Sequence, residues 1–227
     1  MKIISFMRAC ERCVLPRVAS RIDQSRLAHI RAVNNSFEAL VRGNYSRVYD
    51  ALTPALKAQT NPAKYCQSLS LLREAFLSLP RKEQRNLAAA VALHDIGYLK
   101  DLGVKHGELG GQMVGSFLMQ CGIQGVDRQA VADIVRFHGF LPDIFAQFLP
   151  QQLEPFNRIR KTQFLLISVA DTIGKPMGNV LSQKGLEILL VWGTLFAGFH
   201  SLAKLSGEIR GYEAPNAIVV DYREANK

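Results

Sequence analysis

NLAAAVALHDIGYLKDLGVK, residues 86–105, is the stretch on which the reading of the whole chain turns. Leu87 to Leu93 is an apolar run with four alanines, which favours helix strongly, and Gly97 marks where regular helix stops. His94 and Asp95 sit at the inner end of that helix. An imidazole and a carboxylate buried together cost several kcal/mol unless they find partners. A metal ion suits both at once. Downstream, His106, His138 and Asp171 are the candidates for the rest of its shell.

Four groups of residues follow one another in a set order: His94-Asp95-Ile96-Gly97, His106-Gly107-Glu108-Leu109-Gly110, Phe137-His138 and Val169-Ala170-Asp171. Together they resemble the HD-domain superfamily of metal-dependent phosphohydrolases, over residues 62–175. The resemblance implies an all-α HD-domain helical bundle. It makes His94, Asp95, His106, His138 and Asp171 metal ligands, and His94 and Asp95 the catalytic pair. In the family the aspartate of the pair can bridge two metals. Members with two extra histidines before the final aspartate tend to hold a dinuclear site, and His106 and His138 match those extras.

The chain departs from the family pattern at its start. That pattern opens with a histidine on the helix before the His-Asp pair, yet no histidine lies between His29 and His94. The helix in question reads NPAKYCQSLSLLREAFLSL, and the equivalent place falls near Tyr65, Cys66 or Gln67. Cys66 could substitute as a thiolate, and Gln67 would be a poor replacement. The expectation is therefore an HD-type site whose first histidine is replaced or missing. His29 and His200 are read as satisfied core histidines.

Imidazole with carboxylate suits manganese, iron, nickel, cobalt or zinc, as one or two ions, whereas magnesium prefers oxygen alone. Two ions would lower the pKa of a water between them and clamp phosphoryl oxygens. Lys100 and Lys105 lie between two ligands in the chain and Lys175 follows Asp171, so all three are candidates to bind substrate phosphate. The alternative is three ordinary surface lysines. Many family members carry a lysine directly after the HDIG glycine, where this chain has Tyr98. Glu108 could orient a ligand histidine or simply open its helix.

The expected function is metal-assisted hydrolysis of a phosphate ester or anhydride, in a nucleotide or another phosphorylated small molecule. One alternative is a degenerate HD module with a signalling or interaction role, suggested by the absent histidine. A second is an iron-dependent HD-type oxygenase, since some dinuclear HD proteins oxidise their substrates.

With 227 residues, 48% of them hydrophobic, the chain can build a sizeable core. Its net charge is +9, and residues 1–50 carry nine basic side chains against four acidic ones. The arginines are spread out, which fits a solvated helix face, and an anionic partner is the alternative, nucleic acid being less favoured than a small phosphorylated ligand. Cysteines 10, 13, 66 and 121 read as reduced thiols. Cys10 and Cys13 form a lone Cys-x-x-Cys with no second pair to complete a zinc site. Arg8, Glu11 and Arg12 interrupt the first residues, and the apolar run from Ile188 to Phe199 is shorter than the roughly 18 residues a membrane span needs. The expectation is a soluble, cytoplasmic protein with no membrane span, and a homodimer is left open.

Three parts are expected: a helical extension over 1–60, the HD-like metal-binding domain over 61–206, and a tail or short β-hairpin over 207–227. In the first, Leu27, Ile30, Val33, Phe37 and Leu40 recur at helical spacing, Gly43-Asn44 breaks the pattern, and Val48 to Leu56 resumes it, giving two or three helices. Asn61-Pro62 opens the next helix and Pro80 stops it. Gly107, Gly110, Gly111 and Gly115 imply close approach of another helix or of ligand. Asp127 caps a helix reaching His138. In IRKTQFLLISVADTI, Phe164, Ile167, Ser168 and Asp171 share one side. A long apolar helix from Val180 to Leu205 would cover the bundle.

Overall fold

A computed structural model of the protein describes residues 2–100, 106–139, 155–175 and 183–192. Within them the chain is all-α, with no strand. The expected hairpin over 207–227 and most of the covering helix over 180–205 lie outside the described residues, as does Lys105.

The helices are α1 (Ile3–Ala19), α2 (Gln24–Arg42), α3 (Tyr45–Asp50), α4 (Pro54–Ala58), α5 (Pro62–Ser78), α6 (Arg81–Leu93), α7 (His106–Gln120), α8 (Arg128–Arg136), α9 (Arg158–Ile173) and α10 (Gln183–Trp192). Their starts are written in the sequence. Asp23, Asn61, Asp127 and Asn157 each accept a hydrogen bond from the backbone N–H three residues on. A cap of this kind is worth about 1 kcal/mol. Gly43 ends α2 in the left-handed region, at φ 78°.

Three boundaries differ from expectation. Val48 to Leu56 splits into α3 and α4, because Thr53 caps a new start and Pro54 occupies its first turn. The segment after Asp95 is more than loop, since Ile96–Leu99 coils into a 3-10 turn. Helix α8 stops at Arg136, which leaves His138 in the turn beyond it.

One hydrophobic core runs from Phe6 and Met7 of α1 to Leu189 and Leu190 of α10. Helix α6 is its axis: Leu87 to Leu93 are all 2% exposed or less, and the helix packs against α1, α2, α8 and α9. Alanine at four of those seven positions leaves room for neighbours on every side. The apolar stripe of α2 is buried in the same core, so the first 60 residues share it with the rest. Glycines bring α7 against α8, as a Cβ on Gly107 would lie 2.8 Å from the Arg136 carbonyl oxygen and one on Gly111 3.0 Å from that of Ala132. No helix among the described residues is long and apolar enough to cross a membrane.

Candidate metal centre

Helix α6 ends where its axis meets polar groups. His94 is its C-cap residue and Asp95 leaves the helix immediately after, both essentially without solvent contact. His106 arrives from the first residue of α7. Gly97 makes this possible, because a Cβ there would collide with the His106 carbonyl. His138 comes from the turn after α8, its carbonyl held by the Ser168 hydroxyl, and Asp171 comes from the last turn of α9.

A sixth residue joins them from an unexpected place. His29, on α2, lies with its Nε2 2.8 Å from Asp171 Oδ1 and 3.5 Å from Asp95 Oδ2. It is buried and partnered, as a core histidine should be, but its partners are the carboxylates of this cluster. Four of the chain's five histidines thus converge on one point.

The six residues form two sets. His29, His94 and Asp171 bring their ligand atoms within 4.8 Å of one another, and so do Asp95, His106 and His138. Asp95 stands between the sets. Its Oδ2 is 3.5 Å from the Nε2 atoms of both His29 and His94, while its Oδ1 is 3.6 Å from His106 Nε2 and 3.4 Å from His138 Nε2.

The protonation of the rings follows from what their outer nitrogens touch. Nδ1 of His29, His94 and His138 lies 2.7–2.8 Å from the carbonyl oxygens of Gly174, Val91 and Val135 respectively. A carbonyl can only accept, so each Nδ1 carries the proton and donates. In the neutral ring each Nε2 is then a bare lone pair pointing into the cluster, the state in which histidine binds metal. Lone pairs so directed repel unless a cation lies among them. His29 Nε2 faces a carboxylate oxygen at 2.8 Å, and the Nε2 atoms of His106 and His138 are 3.1 Å apart. His94 Nε2 and Asp95 Oδ2 are fully buried with no hydrogen-bond partner among the described residues. Either protons or metal ions must supply the missing positive charge. These donors suit a divalent transition metal.

The electrostatics agree. Burial pushes the His94 imidazole down to about 4, so it stays neutral. Burial opposes charge on Asp95 as well, but His138 and His29 outweigh it and hold the carboxyl below its usual range. Asp171 is likewise held down against burial, chiefly by Lys175 and His29. His29 and His138 are raised despite burial, by Asp171 and Asp95 respectively, so in the absence of metal they are the groups that hold protons. A metal must displace those protons. Its affinity is therefore expected to fall as pH drops through the raised values of the two rings, starting above the ordinary histidine value of about 6.5. Metal titrations at about pH 8 and about pH 5.5 check this, and equal affinities at both would contradict it.

The remaining candidates are placed as follows. Tyr65 is buried with its ring against Tyr49, Cys66 is half-buried near Asp50, and Gln67 is exposed. None of the three belongs to either set, and the further imidazole of the cluster comes from α2. Lys175 reaches the cluster, with Nζ 3.3 Å from Asp171 Oδ2. Lys100 is exposed at the end of the 3-10 turn. Glu108 is exposed and pairs with Arg136 at 3.8 Å, so it opens α7 without touching a ring. Cys10 is buried in the core, and the Cys13 thiol lies 3.5 Å from the Cys121 carbonyl; neither joins a metal-binding group among the described residues. The spacing of His29, four residues before Val33 and eight before Phe37, signals its burial on α2 but not its partners.

No family model matches this chain, and no curated protein or solved structure matches it either.

Proposed function

We propose that the chain is a metal-dependent phosphohydrolase of the HD type, acting on a phosphate ester or anhydride of a nucleotide or similar small molecule. The observation that carries this reading is the Asp95 carboxylate set between two groups of ligands, with buried Nε2 lone pairs aimed at it from both sides. His29, His94 and Asp171 would hold one divalent ion and His106 and His138 a second, with Asp95 shared between them. Such ions supply the Lewis acidity that activates water and neutralises phosphoryl charge.

The chain's own residues do the rest. Backbone carbonyls fix three imidazoles in the tautomer that presents Nε2. Burial keeps His94 neutral, and Lys175 holds Asp171 ionised. The rival reading of a non-catalytic module rests on an absent first histidine, and a further imidazole in the cluster, that of His29, supports the catalytic reading instead.

The test is turnover. Protein loaded in turn with manganese, cobalt, nickel, iron and zinc is assayed on phosphomonoesters, phosphodiesters and nucleotides. Phosphate release that a chelator abolishes and added metal restores is expected. Bound metal without turnover on any of these substrates would point to the module instead.

A further inference from the structure

The side chains in and beside the cluster differ in exposure. The side chains of Asp95 and His138 are 3% exposed, that of His106 20%, that of Arg26 26% and that of Lys175 30%. The cluster therefore meets solvent through His106 and beside Lys175.

Two stacking contacts tie Arg26 to that opening. The Tyr98 ring lies flat on the His106 imidazole, with centroids 4.1 Å apart and planes 10° from parallel. The Arg26 guanidinium carbon lies 3.7 Å over the centroid of the Tyr98 ring. Guanidinium, phenol and imidazole thus form a layered stack that ends on a member of the cluster. Arg26 also sits one helical turn before His29, so both side chains leave the same face of α2. Asp23 accepts from Arg26 Nε at 2.9 Å, which fixes the guanidinium in its plane.

We propose that Arg26, laid on Tyr98 at the solvent side of the His/Asp cluster, binds the phosphoryl oxygens of the substrate. The proposal rests on the hydrolase reading above and adds to it the group that recognises the anion. A stacked guanidinium is weakly hydrated and presents its N–H donors in a planar fork that matches a phosphate. Tyr98 supplies the platform. Lys175, beside Asp171, adds a second positive charge at the cluster.

Inorganic phosphate is the probe. The whole protein is loaded with manganese, its metal content is measured, and phosphate binding is followed by titration calorimetry. Wild type is compared with Arg26→Ala and with Arg26→Met, which keeps the packing of the aliphatic stem if the shorter side chain disturbs α2. Arg47→Ala, an exposed arginine on α3, is the control. Both Arg26 variants are expected to keep their metal and to bind phosphate at least about tenfold more weakly, the scale of a lost charge-assisted hydrogen bond, while Arg47→Ala matches wild type. Unchanged phosphate affinity in the two variants, with wild type binding well, would overturn the role of Arg26 and leave the hydrolase reading standing. Loss of metal in step with loss of phosphate would also overturn it, since Arg26 would then be acting through Tyr98 on His106. No phosphate binding by metal-loaded wild type would overturn the anion site, and the turnover assay above decides the hydrolase reading separately.

Discussion

On the two-ion proposal, replacing Asp95 with alanine is expected to strip the protein of its metal. Each oxygen of this carboxylate faces a different set of imidazoles, and among the described residues no other side chain stands between both sets in this way. The effect on stability has two parts. Metal that binds only the native state, at about a hundred times its dissociation constant, contributes about 2.7 kcal/mol per site. In a chain of this size each kcal/mol corresponds to about 2–4 °C, so losing two ions should lower the melting temperature by on the order of 10 °C. Removing the carboxylate also takes from buried His138 its nearest charge partner, while His29 keeps Asp171, and breaking a buried pair costs about 3–5 kcal/mol. Asp95→Asn keeps the shape and should fold well while still losing most of the metal. Elemental analysis and thermal melts of the two variants check this, and wild-type metal content in either would contradict the shared role.

His29→Ala carries the second large effect. The ion held by His29, His94 and Asp171 should be lost or much weakened, while the one held by His106, His138 and Asp95 persists, so metal content should fall by about one ion per chain. The same change leaves buried Asp171 without its 2.8 Å partner, so the metal-free protein should also be less stable, by about 1–3 kcal/mol. Histidines introduced at Tyr65, Cys66 or Gln67 in the His29→Ala background should restore neither quantity. Those side chains face Tyr49, the vicinity of Asp50 and solvent. Recovery of metal in any of them would mean that α5 reaches the cluster, against the packing described above.

The comparison of His29 with the other ligands shows which information the sequence carries. His94-Asp95 and the fall of Asp171 on the buried side of α9 were legible because both depend on local periodicity, an apolar run ending at polar groups. His106 and His138 were legible by their order. The caps at Asp23, Asn61, Asp127 and Asn157 mark helix starts, because they need only a side chain and a backbone N–H three residues away. His29 was passed over because its place in the cluster is set by long-range packing. Its Nδ1 partner, Gly174, is 145 residues distant, and nothing local to α2 distinguishes such a histidine from one held in an ordinary core. Tyr98 and Arg26 were hidden for the same reason, since a stack between a 3-10 turn and the start of α2 exists only once the helices are packed. The split of α3 from α4 was written locally, in Thr53-Pro54, and was a matter of reading the turn chemistry.

Crystals of the wild-type protein soaked in manganese, with data recorded to give anomalous differences, bear most directly on the cluster. Two peaks are expected. One should lie among His29, His94 and Asp171, the other beside His106 and His138, with Asp95 between them. An absence of anomalous density at these six residues, from protein that takes up manganese elsewhere, would contradict the two-metal centre and with it the hydrolase reading.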